Sequence, residues 1–449
     1  MAYQSARPGF HGRWDRLKPD ELFCADFKTT PFWWEAARPR EEVAGDMPSE
    51  CDVLVIGSGY TGLNAALHTA KEGLSTLVID AQAAGAGCST RNGGQVSAGL
   101  KPEFPELARR HGNEIATALF EESQASVDYL ANLVDEERLD CDLRKVGGFH
   151  GAHHPRLYQV LEAECRDQHK VLKTDAFMVP RNAMAAELGT DAYHGGIVYP
   201  HDCSIDAGKY HSALLSRVLT AGALLQPHCP AISIERTGKT LTVTTAKGNV
   251  RTGKVIIATN GYSGRLSPYH RSRIIPIGSY IIATEPLDRA LVDRLFPTDR
   301  VYSDTRRLIY YYRLSPDRQR MLFGGRVSLR ETNPVVSATQ LHRAMTALFP
   351  DLSAARISHS WYGFVGYTFD KLAHCGEDDG IYYAMGYCGS GVAMSSYLGM
   401  RMGRKAAGTE TTLSAFERIP FPGRPFYNGN PWFLAPSVLV YRFRDHFGI

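Results

Sequence analysis

Residues 51–80, CDVLVIGSGYTGLNAALHTAKEGLSTLVID, carry the pattern that decides the fold. The apolar run CDVLVIG leads into a glycine-rich turn, the helix-like stretch LNAALHTAKEG follows, and LSTLVID is a second apolar run. Short apolar runs separated by a segment of helical period are typical of the parallel strands in a βαβ unit. The segment therefore predicts an α/β protein with a Rossmann-type domain.

The glycines of this turn form the dinucleotide fingerprint G-x-G-x-x-G. Gly57 permits the tight turn, Gly59 lets the backbone approach a pyrophosphate, and Gly62 lets the helix pack closely on the strand. Tyr60 and Thr61 open the helix, whose N-terminus faces the anion. Strand, glycine turn and helix together make this pattern far more specific than the three glycines alone.

An acidic residue ends the second apolar run. Asp80, followed by Ala81, stands about 20 residues after the first glycine, where a carboxylate can accept hydrogen bonds from a ribose diol. An acid there favours a ribose without a 2′-phosphate. The fingerprint itself leaves both FAD and NAD open as the dinucleotide.

Two further glycine-rich segments extend the predicted cofactor site. GAGCSTRNGGQ, residues 85–95, follows the second strand directly and offers donors for phosphates and the flavin edge. GYCGSGV, residues 386–392, precedes a helix whose N-terminal amides can face the negative charge of a reduced flavin. The candidate residues are Ser89, Arg91, Asn92, Gly93, Gly94 and Gln95 in the first segment and Gly389, Ser390, Gly391 and Val392 in the second.

The rest of the chain divides by pattern. Long alternation of apolar and polar residues within 269–355, as in SYIIATEPL and RLIYYYRL, predicts a large mixed, mostly antiparallel sheet as a substrate platform. The predicted division is an irregular surface arm at 1–49, a discontinuous FAD-binding domain at 50–100, 198–268 and 356–420, a substrate domain at 101–197 and 269–355, and a tail at 421–449. The Trp33–Trp34 pair of the arm could cover the cleft or contact a neighbour.

Composition excludes several classes of function. The 449 residues include 50 Lys and Arg against 47 Asp and Glu, without a long run of like charge, which argues against nucleic acid as a partner. Nine scattered cysteines without a C-x-x-C pair, and no H-E-x-x-H motif, argue against a metal site and for reduced thiols in a cytoplasmic protein. No apolar stretch is long enough to predict a membrane span or a signal peptide.

Beyond these patterns, the sequence resembles the D-amino acid oxidase and glycine/sarcosine oxidase superfamily of FAD proteins, and most closely its gamma-glutamylputrescine oxidoreductase branch. The segments that carry the resemblance are CDVLVIGSGYTGLNAALH, GAGCSTRNGGQ, KVIIATNGY, YYYRLSPD, MLFGGR and AMGYCGSGV. The resemblance implies that residues 57–62 and Asp80 hold the ADP half of FAD, with Ala231 near the adenine and Gly261 closing a strand beside the cofactor. It also implies that residues 91–95 and 389–392 flank the isoalloxazine.

Two departures from the resemblance bear on the chemistry. Sarcosine-type members have a lysine after the C-terminal glycine turn that binds the substrate carboxylate, whereas this chain has Ala393. Those members also attach the flavin to a cysteine in the strand before that turn, where this chain has Trp361 and Tyr362. The resemblance therefore implies FAD bound without a covalent link and a substrate held in another way.

The expected function is oxidation of a small-molecule amine: hydride leaves the carbon next to nitrogen for the flavin, and the imine is hydrolysed to aldehyde and amine. Tyr280 and Tyr312 are candidates for the wall of an amine channel, and Arg326 for a contact with a substrate carboxylate or carbonyl. Oxygen or another acceptor takes the electrons, and the number of subunits stays open. Alternatives are a D-amino acid or opine dehydrogenase with a non-oxygen acceptor, or a flavin-binding subunit of a larger complex.

Overall fold

The computed structural model describes residues 19–172, 174–326 and 331–448. Its helices are α1 (Pro19–Leu22), α2 (Tyr60–Lys71), α3 (Phe104–His111), α4 (Asn113–Glu136), α5 (Pro155–Leu172), α6 (Ala207–Thr220), α7 (Pro268–Arg271), α8 (Arg289–Leu295), α9 (Pro334–Leu348), α10 (Gly391–Ala407) and α11 (Leu434–Phe447). Within the described residues, no helix is both long and apolar enough to cross a bilayer.

The strands are β1 (Phe23–Lys28), β2 (Glu50–Ile56), β3 (Thr76–Ile79), β4 (Gln95–Val96), β5 (Gly148–Gly151), β6 (Phe177–Pro180), β7 (Gly195–Tyr199), β8 (Cys203–Ser204), β9 (Leu224–Gln226), β10 (Ala231–Thr237), β11 (Thr240–Thr245), β12 (Gly248–Ile257), β13 (Ile275–Thr284), β14 (Val301–Asp304), β15 (Tyr310–Leu314), β16 (Met321–Gly325), β17 (Ile357–Tyr367), β18 (His374–Asp378) and β19 (Ile381–Met385). They form an eight-stranded sheet, a nine-stranded sheet and the two-stranded pair β4–β8.

The eight-stranded sheet contains the predicted βαβ unit. Strands β12, β2, β3 and β9 run parallel in that order, β19 also pairs parallel with β12, and β10 and β11 extend the edge in antiparallel fashion. Val53, Leu54 and Val55 of β2 are fully buried, because helices cover the face with Val53 and Val55 and strand and loop residues cover the face with Leu54. The apolar face of α2, with Leu63 and Ala66, joins Val53 and Val55 in one core.

The nine-stranded sheet has the order β1-β17-β13-β16-β15-β14-β5-β7-β6. Only β1–β17 and β14–β5 pair in parallel, so the sheet is mixed and mostly antiparallel. This arrangement confirms the predicted fold class, a Rossmann-type unit beside a large, mostly antiparallel sheet. Its own core contains Phe323, Tyr302 and Phe349, the last at the end of α9.

The N-terminal segment is more than the predicted irregular surface arm. Its strand β1 pairs with β17 at the edge of the nine-stranded sheet. Trp33 is fully buried, and its indole nitrogen donates a hydrogen bond to Asn92 O at 2.7 Å. Trp34 donates to the Thr90 hydroxyl at 2.9 Å, and the Arg91 guanidinium lies 4.7 Å from the centre of its ring. Both tryptophans therefore hold the loop 85–95 in place through their contacts with its residues.

The packing departs from the predicted division at strand β17 and at helix α4. Strand β17 was assigned with the FAD-binding segments, yet it pairs with β13 in the nine-stranded sheet. Helix α4 was assigned to the substrate domain, yet its residues Val127 and Leu130 lie in the core of the dinucleotide unit. The Tyr129 hydroxyl on α4 also donates to Asn64 of α2 at 2.9 Å. The chain therefore crosses between the two halves more often than composition alone indicated.

Candidate active site

A large cavity lies between the two sheets. Its volume is about 2140 Å³, and its lining includes the turn after β2, the loop 85–95, the start of α10 and residues of the nine-stranded sheet. Pockets for one small molecule occupy roughly 300–1,000 Å³. The cavity is therefore large enough for a dinucleotide and a second molecule placed next to it.

At one end of the cavity lies the glycine turn. Gly57 has φ of +106°, and a Cβ there would lie 2.8 Å from Ala258 O, so only glycine fits without strain. A Cβ on Gly62 would overlap the carbonyl oxygen of Gly57, which explains the close approach of α2 to the strand. The first amides of α2 have no acceptor within the helix, and they point to this end of the cavity. Gly57 and Gly62 thus have the geometry of a tight turn followed by a closely packed helix, and their role toward a cofactor stays a prediction.

Hydrogen bonds within the protein fix the donors and acceptors around this turn. The Ser89 hydroxyl accepts from Tyr60 N at 3.0 Å, so a hydroxyl stands at the N-terminus of α2. One Asp80 oxygen accepts from the backbone and side chain of Ser58 at 2.9 and 2.6 Å, and the other from Gln82 N at 3.0 Å. The carboxylate is thus fixed at the end of β3, where it borders the cavity and retains lone pairs for a diol.

The polar side chains of the loop 85–95 mainly fix the loop itself. Asn92 donates to Cys88 O and Ser89 O at 3.2 and 2.9 Å, and its own oxygen accepts from Gly94 N. Arg91 donates to Ala86 O at 2.7 Å and to Tyr362 O at 3.3 Å. The loop therefore presents its backbone to the cavity more than its charged side chains.

Most predicted cofactor residues border the cavity. They are Gly57, Gly59, Tyr60, Thr61, Asp80, Ala81, Ser89, Arg91, Asn92, Gly93, Gln95, Ala231, Gly389, Ser390, Gly391 and Val392. Gly62, Gly94 and Gly261 lie behind the lining: Gly94 O accepts from Arg313 at 2.6 Å, and Gly261 packs against the backbone of residues 364–366. These three glycines shape the site without bordering it.

The second glycine turn also borders the cavity, close to the start of α2, where the Thr61 hydroxyl and the Tyr387 hydroxyl share a hydrogen bond of 2.7 Å. Gly389 has φ of +105°, α10 begins at Gly391, and the first amides of α10 have no intrahelical acceptor. Ser390 and Val392 border the cavity with them. The partial positive charge of a helix N-terminus therefore borders the cavity, where negative charge would be stabilised.

The structure corrects two candidates for the substrate wall. Tyr280 and Tyr312 are 0% and 1% exposed and lie outside the cavity lining. Side chains alternate along a strand, so their neighbours Ser279 and Tyr311 point into the cavity instead. Tyr311 would contact a Cβ on Gly93 at 3.0 Å, so it is the tyrosine beside the loop 85–95.

Both displaced tyrosines contact residues outside the cavity lining. The Tyr280 hydroxyl donates to Glu331 at 2.7 Å, while Tyr312 stacks on Tyr302 at 5.3 Å between ring centres. Arg326 does border the cavity, but its Nη1 donates to Gly278 O at 2.8 Å and pairs with Glu331 at 2.9 Å. The charge of Arg326 is thus already compensated, and its contact with a substrate stays a prediction.

Sequence reasoning missed many polar side chains of the cavity, among them Lys101, His150 and Tyr367. His150 Nδ1 shares a hydrogen bond of 2.8 Å with the Ser303 hydroxyl. Burial lowers the pKa of His150 to about 4, with a further contribution from Lys101, so the imidazole is neutral at pH 7. No motif surrounds these residues, and only the alternation of β5 and β17 would have indicated His150 and Tyr367. The described residues contain no group of side chains suited to a metal ion.

Comparison with known proteins agrees with this geometry. The family model described as DAO, FAD dependent oxidoreductase, matches residues 52–404. The chain therefore belongs to this family of FAD-dependent oxidoreductases. It is 32% identical over 427 residues to the probable oxidoreductase OrdL of Rhizobium meliloti, which covers 92% of this chain and 97% of the relative. It is 29% identical over 413 residues to the gamma-glutamylputrescine oxidoreductase of Escherichia coli, which covers 89% of this chain and 94% of the relative.

A solved structure shares the fold. Glycine oxidase from Geobacillus kaustophilus superposes with a TM-score of 0.69 at 19% identity, covering 84% of this chain and 99% of that chain. The residues on this chain fit the cofactor of the family, because the glycine cradle leaves no room for a Cβ at Gly57 and a fixed carboxylate stands at Asp80. At Gly59 a Cβ would lie 2.8 Å from the Ser89 hydroxyl, so this second glycine also keeps the turn open.

Proposed function

We propose that the protein oxidises the C–N bond of an amine or amino-acid-like substrate. When bound, FAD supplies a hydride acceptor at N5, and the imine product reacts with water to give an aldehyde or oxo acid and an amine. The single observation that supports this proposal best is the continuous cavity, which runs from the dinucleotide turn, past the start of α10, to the nine-stranded sheet. A substrate on that sheet would lie next to the cofactor and away from bulk water.

The residues of the chain would bind and orient the two molecules. In this proposal the amides of α2 and the Asp80 carboxylate hold the diphosphate and ribose, and the loop 85–95 and residues 389–392 flank the ring system. Ser279 and Tyr311 form the wall that faces the substrate. FAD is held without a covalent link, since Trp361 and Tyr362 occupy the strand positions where related proteins have a cysteine.

A bound amine must be neutral before it can give up hydride, because an ammonium has no lone pair to form the C=N bond. Two groups that border the cavity would favour the neutral form: burial keeps His150 uncharged, and the first amides of α10 carry the partial positive charge of a helix N-terminus. No side-chain base is therefore required, only an environment that raises the free energy of the ammonium form.

The proposal is tested with the purified protein. We expect a yellow protein that releases its flavin on acid precipitation, which also checks the absence of a covalent link. Anaerobic mixing with a panel of primary amines, secondary amines, amino acids and opines, including gamma-glutamylputrescine, should bleach the flavin with at least one compound. Dithionite bleaching serves as the control that the flavin is reducible. A flavin that dithionite bleaches and no compound of the panel does would contradict the proposal.

The electron acceptor needs a separate measurement. Oxygen consumption during turnover would identify an oxidase, whereas turnover only with a dye or quinone would identify a dehydrogenase. Turnover by the single purified chain would exclude the alternative of an inactive flavin-binding subunit. A cytoplasmic location, predicted from the nine scattered cysteines, is also part of the proposal.

A further inference from the structure

One carboxylate of the cavity lies near the strand pair that follows the loop 85–95. Asp202 borders the cavity immediately before β8, and Cys203 of β8 pairs with Val96 of β4. Strand β4 begins at Gln95, one of the residues proposed to flank the ring system. Asp202 therefore belongs to the part of the cavity proposed for the substrate and not to the part proposed for the ADP half of the cofactor.

Strand β5 leaves room for the Asp202 side chain. A Cβ placed on Gly148 of β5 would overlap Asp202 Oδ2 and would lie 3.0 Å from Asp202 Cγ. Gly148 and His150 both border the cavity, and they lie on the same side of β5 because side chains alternate along a strand. Glycine at position 148 therefore provides the space that the carboxylate occupies against the nine-stranded sheet.

The Asp202 carboxylate has no partner in the protein. Within residues 19–172, 174–326 and 331–448 it makes neither a hydrogen bond nor an ion pair, and none of the Lys or Arg side chains that border the same cavity pairs with it. The other acidic side chains of the lining have a partner or are exposed. Those with a hydrogen bond or an ion pair are Asp80, Glu106, Glu164, Asp175, Asp304 and Asp445. Those exposed without one are Glu103, Glu121 and Asp128.

The surroundings of Asp202 are acidic. The Tyr199 hydroxyl donates to Glu164 at 3.4 Å, and burial, together with the charges of Glu164 and Asp202, raises the pKa of Tyr199. The neighbouring His201 is already paired with Asp175 at 2.9 Å. All five residues border the cavity. This wall therefore suits a cation better than an anion.

The protein around Asp202 disfavours the charge of its carboxylate. Asp202 is partly buried, and burial raises its pKa to about 8. A carboxylate removed from water costs free energy unless an opposite charge or hydrogen-bond donors compensate it. A cation that enters the cavity would supply that charge and bring the pKa back toward its ordinary value.

We propose that Asp202 is a specificity-determining residue that binds a second cationic nitrogen of the substrate, so that diamines and other amines with a cationic tail are preferred over monoamines. This inference rests on the proposed function for the end of the substrate that is oxidised. The reacting nitrogen must be neutral when hydride leaves, and a carboxylate beside it would stabilise its ammonium form. The nitrogen that Asp202 binds therefore belongs to another part of the substrate.

The test compares each α,ω-diamine with the n-alkylamine of the same chain length. At about pH 9 Asp202 is ionised, while an alkylammonium still carries its proton. For the FAD-loaded wild type we expect kcat/KM to be about tenfold or more higher for the best diamine than for its monoamine, because hydrogen bonds between charged groups are the strong ones. Asp202→Asn should reduce this ratio to about one, mainly by raising KM for the diamine. An unchanged ratio, with both amines slowed equally, would overturn the inference and assign the carboxylate to the reacting nitrogen.

Two further variants sharpen the comparison. Gly148→Ala keeps every charge but displaces the carboxylate, so it should also lower the ratio. Asp175→Asn is the matched control: it removes an exposed acid of the same cavity lining and should leave the ratio as in the wild type. A ratio unchanged in folded, FAD-loaded Gly148→Ala would overturn the inference. An equal fall of the ratio in Asp175→Asn and Asp202→Asn would also overturn it, since general negative charge would then set the preference.

A binding measurement distinguishes this inference from the proposed function. Calorimetry with the flavin kept reduced by dithionite reports amine binding without turnover, and Asp202→Asn should weaken diamine binding about tenfold or more there. Diamines that bind through Asp202 but never bleach the oxidised flavin would support the cation site and remove amine oxidation. A wild-type flavin that monoamines bleach as readily as diamines would support amine oxidation and overturn this inference.

Discussion

The two sheets that border the cavity present their functional groups in different ways. The eight-stranded sheet contributes mostly backbone: the turn at Gly57, the first amides of α2 and the carboxylate of Asp80. The nine-stranded sheet contributes side chains from one face of its strands, such as Tyr311. Backbone sites depend on residue types that are visible in a sequence, while side-chain sites depend on which face of a strand points inward. The part of the site on the eight-stranded sheet is therefore easier to predict from the sequence than the part on the nine-stranded sheet.

The largest effect that we expect lies where the two sheets are joined. Trp33→Ala should lower the free energy of unfolding by about 3–5 kcal/mol, because a large, fully buried side chain leaves a cavity behind the loop 85–95. It also removes the hydrogen bond to Asn92 O, so FAD affinity should fall together with stability. Urea unfolding and flavin content measure the two effects.

Trp432→Ala is the control for that substitution, since Trp432 is 70% exposed. Its stability should change by less than about 0.5 kcal/mol. Equal losses of stability and flavin in the two variants would contradict the placement of the N-terminal segment against the loop 85–95.

The next prediction tests the glycine turn of the eight-stranded sheet alone. Gly57→Ala should cost about 2–3 kcal/mol and abolish FAD binding, since its Cβ would meet Ala258 O at 2.8 Å and its φ is +106°. Gly73→Ala is matched in backbone strain, with φ of +79° and nothing within 4 Å of the added Cβ. It should cost about 1 kcal/mol and retain FAD. Equal loss of flavin in both variants would show that strain, not closure of the turn, is responsible.

These features explain which parts of the fold could be predicted from the sequence. The βαβ unit was predictable because Gly57 and Gly62 have no room for a Cβ and an acidic residue, Asp80, ends the second strand. The sheet class of 269–355 was predictable from alternation. The pairing of β1 with β17 was not, because two strands more than 300 residues apart meet through tertiary packing that no local pattern encodes.

The side chains proposed to face the substrate were harder to predict from the sequence. Tyr311 and Tyr312 stand side by side in the run YYYRL, and the pattern indicates alternation without saying which member faces inward. Lys101 lies in a polar stretch between two elements, so it carries no periodic signal at all. Its position became informative only when the fold brought it to Gly389. Side chains that meet across the cavity are therefore visible only in three dimensions.

A smaller expected effect concerns the stability of the protein at acidic pH, which depends on His150 in the nine-stranded sheet. Because His150 has a pKa near 4, below its ordinary value of 6.5, the unfolded chain binds more protons between pH 6.5 and 4. Stability should therefore be lost as the pH falls through that window, and His150 should account for about 2 kcal/mol of the loss. His150→Gln should lessen the fall in urea-unfolding free energy between pH 7 and pH 4. His446→Gln, on the exposed side of α11, should leave the fall as in the wild type; identical curves for all three proteins would contradict burial of His150.

The smallest effect separates the two faces of β15. Tyr312→Phe removes a hydrogen bond of 3.1 Å to the Tyr193 hydroxyl in the core, so it should cost about 1 kcal/mol of unfolding free energy and leave the rate of flavin reduction unchanged. Tyr311→Phe removes a hydrogen bond of 2.9 Å to the Ser279 hydroxyl beside the cavity, so it should alter the rate or the substrate affinity with a stability change of similar size. Anaerobic stopped-flow reduction, compared with urea unfolding, measures both. If Tyr312→Phe changed reduction and Tyr311→Phe did not, the inward face of the strand would be the one that the sequence first suggested.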